Sequence, residues 1–187
     1  MYNTNEFKKG LRIEMDGVPY TIVENQFVKP GKGQAFNRVK IKNLLNGNVI
    51  ERTLKSGEKV DKADVIEREM QYLYPEGDKY VFMDTGNYEQ TEMSKEQLGE
   101  EWKWLLEQML VQVIFYKGQP ITLTLPNFVE MEITYCEPGL KGDTATNTLK
   151  PATMSTGAQV MVPLFITQGE RIRVDTRTGE YMERAKS

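Results

Sequence analysis

Over much of this chain, apolar residues alternate singly with polar ones, and clusters of turn residues cut the alternation into short runs. Val39 and Ile41 alternate with Arg38, Lys40 and Lys42; Val129, Met131, Ile133 and Tyr135 alternate with Glu130, Glu132 and Thr134. Residues two apart in a strand share a face, so each run predicts a half-buried strand. Strands are expected over residues 11–15, 20–28, 35–41, 65–74, 79–83, 88–93, 110–116, 121–125, 158–164 and 171–175, with a last one through Tyr181. Asp16-Gly17, Pro75-Glu76-Gly77-Asp78, Asp84-Thr85-Gly86-Asn87, Lys117-Gly118-Gln119-Pro120 and Thr176-Arg177-Thr178-Gly179 are the turns between them, and residues 142–149 read as a polar loop. Asn46-Gly47 predicts a type I′ hairpin turn.

One segment reads as helix. Ser94-Lys95-Glu96-Gln97 is a capping box, and Trp102, Leu105, Leu106 and Met109 follow at helical spacing. Gly99 should weaken or break that helix near its middle. At this spacing beside a β core, the two tryptophans read as packing residues rather than a stacking platform. Many short strands with almost no helix predict an all-β chain of three small β-barrel domains, over residues 1–64, 65–128 and 129–187.

Charge supports that division. Residues 1–64 hold 12 Lys/Arg against 8 Asp/Glu, residues 65–128 hold 5 against 11, and residues 129–187 hold 7 against 8, within a net charge of −3. The basic first third is the part suited to meet phosphate. Arg38, Lys40 and Lys42 would form a basic stripe on one strand face, either a solvated face or a contact for nucleic acid. The chain contains no histidine, which excludes Ser-His-Asp and Cys-His catalysis and imidazole metal sites. Paired-carboxylate hydrolysis remains open, but nothing singles out such a pair, and we expect no metal and no cofactor. The single cysteine, Cys136, excludes an internal disulfide and fits a reducing cytoplasm. The N-terminus lacks a signal-peptide layout, and no apolar stretch is long enough to span a membrane.

The run Val28-Lys29-Pro30-Gly31-Lys32-Gly33-Gln34-Ala35-Phe36 joins two expected strands. Pro30 fixes a backbone angle, and Gly31 and Gly33 remove side-chain bulk on both sides of Lys32. The result is one amine at the tip of a bare hairpin. At about 3.3 Å per residue, five or six unpaired residues would carry it roughly 15–20 Å past its domain.

These residues, with three further motifs, resemble the bacterial translation elongation factor P family over the whole chain. The hairpin is similar to the family's lysine loop. Lys150-Pro151-Ala152-Thr153-Met154-Ser155-Thr156-Gly157-Ala158-Gln159-Val160-Met161-Val162-Pro163-Leu164-Phe165, followed by Gly169, is similar to its C-terminal signature. Gly142-Asp143-Thr144 matches its Gly-Asp-Thr loop, and Asp175-Thr176-Arg177-Thr178-Gly179-Glu180-Tyr181 with Arg184 matches its C-terminal end. The paralogue of this family lacks the Pro-Gly-Lys-Gly tip. After Ala145 this chain reads Thr146-Asn147-Thr148-Leu149, where some members are glycine-rich.

The resemblance implies an SH3-like, KOW-like first domain and two OB folds in an L-shaped, tRNA-like arrangement. It implies a cytoplasmic, monomeric, non-enzymatic factor that binds both ribosomal subunits between the exit and peptidyl-tRNA sites and relieves stalling at consecutive prolines. Lys32 would reach the acceptor end of peptidyl-tRNA, supported by Lys29, Pro30, Gly31, Gly33 and Gln34. In many members the matching lysine carries an extension added by a modifying enzyme, a β-lysyl or an aminopentanol group; in others it is unmodified. Gly142, Asp143 and Thr144 would lie near messenger RNA in the exit site, and Tyr181 and Arg184 toward the tRNA anticodon stem and small subunit. Arg38, Lys40 and Lys42, with Lys29, would contact phosphate. Two other readings are a generic OB-fold RNA-binding protein in which Lys32 has no special role, and a swinging-arm carrier with biotin or lipoate on Lys32.

Overall fold

Period-two alternation turns into sheet wherever it occurs, and the computed structural model, which describes residues 1–139 and 148–185, is built from sixteen strands in three antiparallel sheets. The first sheet takes β1 (Tyr2–Asn3), β2 (Arg12–Met15), β3 (Val18–Val28), β4 (Phe36–Asn43), β5 (Val49–Lys55) and β6 (Lys59–Lys62), in the order β1-β6-β2-β3-β4-β5. Along β4, buried Val39 and Ile41 alternate with exposed Arg38, Lys40 and Lys42, as the pattern predicts. Ile13, Ile22, Val39 and Ile41 form the centre of this core with no exposed surface, closed by Phe7, Tyr20, Leu54 and Val60.

The second sheet takes β7 (Val65–Glu76), β8 (Lys79–Asp84), β9 (Gln90–Ser94), β10 (Leu110–Tyr116) and β11 (Gln119–Thr124), in the order β11-β10-β7-β8-β9. The third takes β12 (Phe128–Cys136), β13 (Leu149–Met154), β14 (Gln159–Pro163), β15 (Arg171–Asp175) and β16 (Glu180–Arg184), in the order β14-β13-β12-β15-β16. Both sheets share one topology, in which the third, second, first, fourth and fifth strands of the unit follow one another. In each, the two end strands return to touch, β9 against β11 and β14 against β16, so each sheet curls toward a closed barrel. The expected all-β class with three sheet domains is what the chain adopts.

Three local expectations are corrected. The type I′ turn is not at Asn46-Gly47. Of those two residues only Gly47 has positive φ, at 78°, whereas type I′ requires it at both central positions. Leu44 is buried at the cleft that faces the second domain, and its N–H donates to Pro19 O at 3.0 Å, which holds the loop against β3. The Asn43 carboxamide then organises the rest by accepting from Leu45 and Asn46 N–H. Both central residues do have positive φ at Asp16-Gly17 and Lys117-Gly118, which join β2 to β3 and β10 to β11.

The helix breaks at Gly99, where a weakening or a break was expected, and the helical run expected through Met109 does not form. Ser94 caps α1 (Lys95–Leu98) with the full capping box, and Gly99, at φ 57° and ψ −125°, ends it after one turn. A 3₁₀ segment follows over Gly99–Trp104. Breaking the helix sends Leu106 to the third core and leaves Trp102 and Leu105 at the second, although helical spacing would have put the three on one face. Trp104 enters the third core, and Leu105 enters the second. Met109 and Leu125 pack against both, so this segment joins the second and third domains through apolar contact. Both tryptophans are packing residues, with Trp102 lying beneath the Lys95 ammonium, 4.0 Å from its ring centre.

The third correction is β13, which opens at Leu149, inside the segment expected to be loop. It places Ala152 and Met154 in the core beside β12, and its Lys150 is buried with Nζ donating to Glu137 O at 2.6 Å. Cys136 is buried in the same core. No described helix is long and apolar enough to cross a membrane.

Candidate functional site

The β3–β4 ladder runs out to Val28 opposite Phe36, so residues 29–35 stand beyond it. The root of this loop is fastened, since Ser56 N–H donates to Ala35 O at 3.1 Å and Phe36 pairs with Lys55 on β5. Lys29, Gly31, Lys32, Gly33 and Gln34 are exposed, and Pro30 is half-buried. Only one of the two glycines needs its freedom. Gly33 has φ 99°, in the left-handed region that disfavours side chains, whereas Gly31 does not. At Gly31 a methyl group would meet nothing within 4 Å, so the described residues place no demand for glycine there.

Arg38, Lys40 and Lys42 do share the outer face of β4, but they are not a bare stripe. Glu51 on β5 lies 3.5 Å from Arg38, and Glu24 on β3 lies 3.3 Å from Lys40. Arg38 also stands over the Phe36 ring at 5.9 Å. Lys42 faces the second domain, where its charge is felt by the Glu101 carboxyl. The two acids were legible in principle as charges directly across the ladder, since Lys40 pairs with both Glu24 and Glu51 in register.

Tyr181 and Arg184 both lie on β16 and are held differently. Tyr181 packs half-buried against the third core, and burial raises its hydroxyl pKa. Arg184 is exposed, bonded to Glu170 at 2.9 Å and stacked over Phe165 at 4.8 Å. Hydrogen bonds from Thr167 N–H and its hydroxyl, and the Arg184 charge, hold the Glu170 carboxyl below its usual range. Gly142, Asp143 and Thr144 lie outside the described residues. Among the described residues no group of three carboxylate or thiol side chains comes together as a metal site.

Sequence reading missed Glu101. It lies on the 3₁₀ segment and lines a cleft of about 920 Å³ together with Lys42, Asn43 and Arg12 from the first domain and Asn127, Thr176 and Arg177 from the far side. Its Oε2 is fully buried and bonded to nothing in the described residues. Burial pushes its carboxyl up to about 7, partly opposed by Lys42. The other ties of the first domain to the second are polar as well. Arg12 meets Glu67 at 2.6 Å, Lys117 meets Glu14 at 3.8 Å, and the Tyr116 hydroxyl donates to Glu14.

An exposed basic hairpin on a six-stranded sheet domain, followed by two barrel-like domains of identical topology joined by apolar contact, makes this a modular all-β protein. Residues 3–60 match the elongation factor P (EF-P) KOW-like domain, residues 65–123 the EF-P OB domain, and residues 129–184 the elongation factor P C-terminal domain. The chain belongs to the elongation factor P family. Among solved structures it is similar to eukaryotic translation initiation factor 5A from Methanococcus jannaschii. The identity is 30%, over 66% of this chain and 93% of that one, with a TM-score of 0.54. A translation initiation factor 5A family protein from Naegleria fowleri shares the fold at 18% identity, over 66% of this chain and 94% of that one, with a TM-score of 0.50.

Proposed function

We propose that this translation factor binds the ribosome between the exit and peptidyl-tRNA sites and promotes peptide-bond formation at consecutive prolines. In this reading Lys32 acts at the acceptor end of peptidyl-tRNA. The observation that carries the reading is the tip itself, an exposed amine on a thin loop beyond the last ladder pair, with its root fastened to the first sheet. The family membership supports it.

The physical contribution is orientation. Proline restricts the backbone near the reacting bond, and holding the acceptor end in a productive geometry is worth several kcal/mol in the general case. The tip supplies a cation, or the extended arm made by a modifying enzyme, and the ribosome remains the catalyst. Lys29, Arg38, Lys40 and Lys42 provide phosphate contacts that position without reading sequence. Gly142, Asp143 and Thr144 face messenger RNA, and Tyr181 and Arg184 face the anticodon stem and the small subunit. The factor works as a cytoplasmic monomer without a bound cofactor or metal.

Reconstituted translation of a three-proline message tests this. Lys32→Ala should leave stability within about 0.5 kcal/mol, as for other exposed changes, and strongly reduce rescue, while a message without proline runs is translated as before. Lys29→Ala, which loses the same charge away from the tip, should do less. Full rescue by Lys32→Ala, or greater damage from Lys29→Ala, would refute the assignment.

A further inference from the structure

The inward face of the β3–β4 hairpin changes character on its way to the tip. Near the core it carries Ile22 opposite Ile41. A bulge between Ile22 and Glu24 then shifts the side-chain phase by one residue. Without it Glu24 and Gln26 would continue this face; with it Asn25 and Phe27 do, opposite Val39 and Asn37. Past Val39, therefore, the inner face holds two carboxamides and a phenyl ring. Asn37 is 4% exposed, yet Phe27 beside it is 60% exposed.

These residues line a cavity of about 460 Å³ on the first domain, closed on the far side by Asn5, Ser56 and Gly57. Its wall is rigid. Asn37 Nδ2 donates to Asn25 Oδ1 at 2.9 Å, Asn25 Nδ2 donates to Phe7 O at 3.2 Å, and Gly57 N–H donates to Thr4 Oγ1 at 3.1 Å. Each carboxamide nitrogen carries two N–H groups, so these bonds leave each asparagine with donor capacity to spare. Packed, fixed amides beside an exposed ring suit a flat ligand with a π face and a hydrogen-bonding edge. The ligand is drawn to the part of the chain that carries its positive charge, residues 1–64, which favours a polyanion.

We propose that this cavity takes one unpaired nucleobase of RNA, stacked on Phe27 and held at its edge by the carboxamides of Asn25 and Asn37. A carboxamide offers a donor and an acceptor side by side, the pattern that adenine's N6 and N7 complement. The inference rests on the reading that the first domain meets RNA, and adds a base contact at the hairpin root to the cation at its tip.

The test is a titration of the full-length, ¹⁵N-labelled protein with tri-adenylate and with an abasic trinucleotide of equal charge. Tri-adenylate should saturably shift the side-chain amide signals of Asn25 and Asn37 and the backbone signals of Phe27 and Gly57, while the abasic strand leaves them in place. Phe27→Ala should weaken binding by about tenfold or more, as expected for loss of a stacking partner, and Phe27→Tyr should retain it. Lys32→Ala should weaken tri-adenylate binding far less than Phe27→Ala and leave the saturable shifts of Asn25 and Asn37 in place, which separates this pocket from the role of the tip. The proposal is overturned if tri-adenylate gives no saturable shift, if the abasic strand moves the same signals equally, or if binding survives Phe27→Ala.

Discussion

Glu101→Gln tests whether the cleft between the domains holds a carboxyl that resists ionisation. In the folded chain burial raises this group from the ordinary 4.5 to about 7, with Lys42 acting the other way. The folded state therefore keeps its proton over a range where the unfolded chain has lost it. Stability attributable to this group is complete below about pH 4.5 and is lost as pH rises through about 7. A gap from 4.5 to about 7 corresponds to at most about 3 kcal/mol. The side chain keeps part of its surface in water, so screening reduces the effect to about 1–2 kcal/mol.

Gln has the same shape and cannot ionise. The variant should match the parent within about 0.5 kcal/mol near pH 5 and exceed it by about 1–2 kcal/mol near pH 8.5. Urea unfolding followed by tryptophan emission is the assay, because the chain's two tryptophans, Trp102 and Trp104, follow closely after residue 101. Lys42→Met, which removes the opposing charge, should steepen the parent's loss of stability with pH. An identical pH slope in parent and Glu101→Gln, or a shallower slope in Lys42→Met, would refute the reasoning.

Trp104→Ala removes a 5%-exposed ring that the second domain inserts into the third core. It should cost about 3–5 kcal/mol and split urea unfolding of these two domains into separate transitions, read by circular dichroism and Trp102 emission. Charge reversal of Arg38, Lys40 and Lys42 together should lower the salt dependence of ribosome binding. Each lost phosphate contact removes roughly 0.7–0.9 from the log–log slope, and an unchanged slope would mark the face as solvated only. The carboxylates beside Arg38 and Lys40 predict that Lys42 accounts for the largest share when the three are reversed singly.

The strands, their inward residues and the bare lysine tip were legible because each depends on neighbours in sequence. Val39 and Ile41 are buried, and Arg38, Lys40 and Lys42 exposed, by alternation alone. Ser94 caps a helix because its partner Gln97 is three residues away, and Gly99 ends that helix through its own backbone freedom. Pro30, Gly31 and Gly33 make Lys32 protrude whatever surrounds them. The strand pattern also carried the class of the protein, since short runs separated by turns leave little besides small antiparallel sheets.

Everything that depends on which distant segment lies alongside was settled only by folding. Leu44 became buried at the cleft facing the second domain, with its N–H bonded to Pro19 O, and a longer loop stands where a tight turn at Asn46-Gly47 was expected. Helical spacing grouped Trp102, Leu105, Leu106 and Met109 on one face, whereas two adjacent cores divided them, Trp102 and Leu105 going to the second and Leu106 to the third. A single bulge after Ile22 decided that Asn25 and Phe27, rather than Glu24 and Gln26, line the cavity on the first domain. The stripe on β4 acquired its carboxylate neighbours from β3 and β5, and Glu101 its buried oxygen from the meeting of domains. Periodicity specifies a side chain's direction relative to its own strand; which charge, ring or cavity it then meets depends on contacts between residues far apart in the chain.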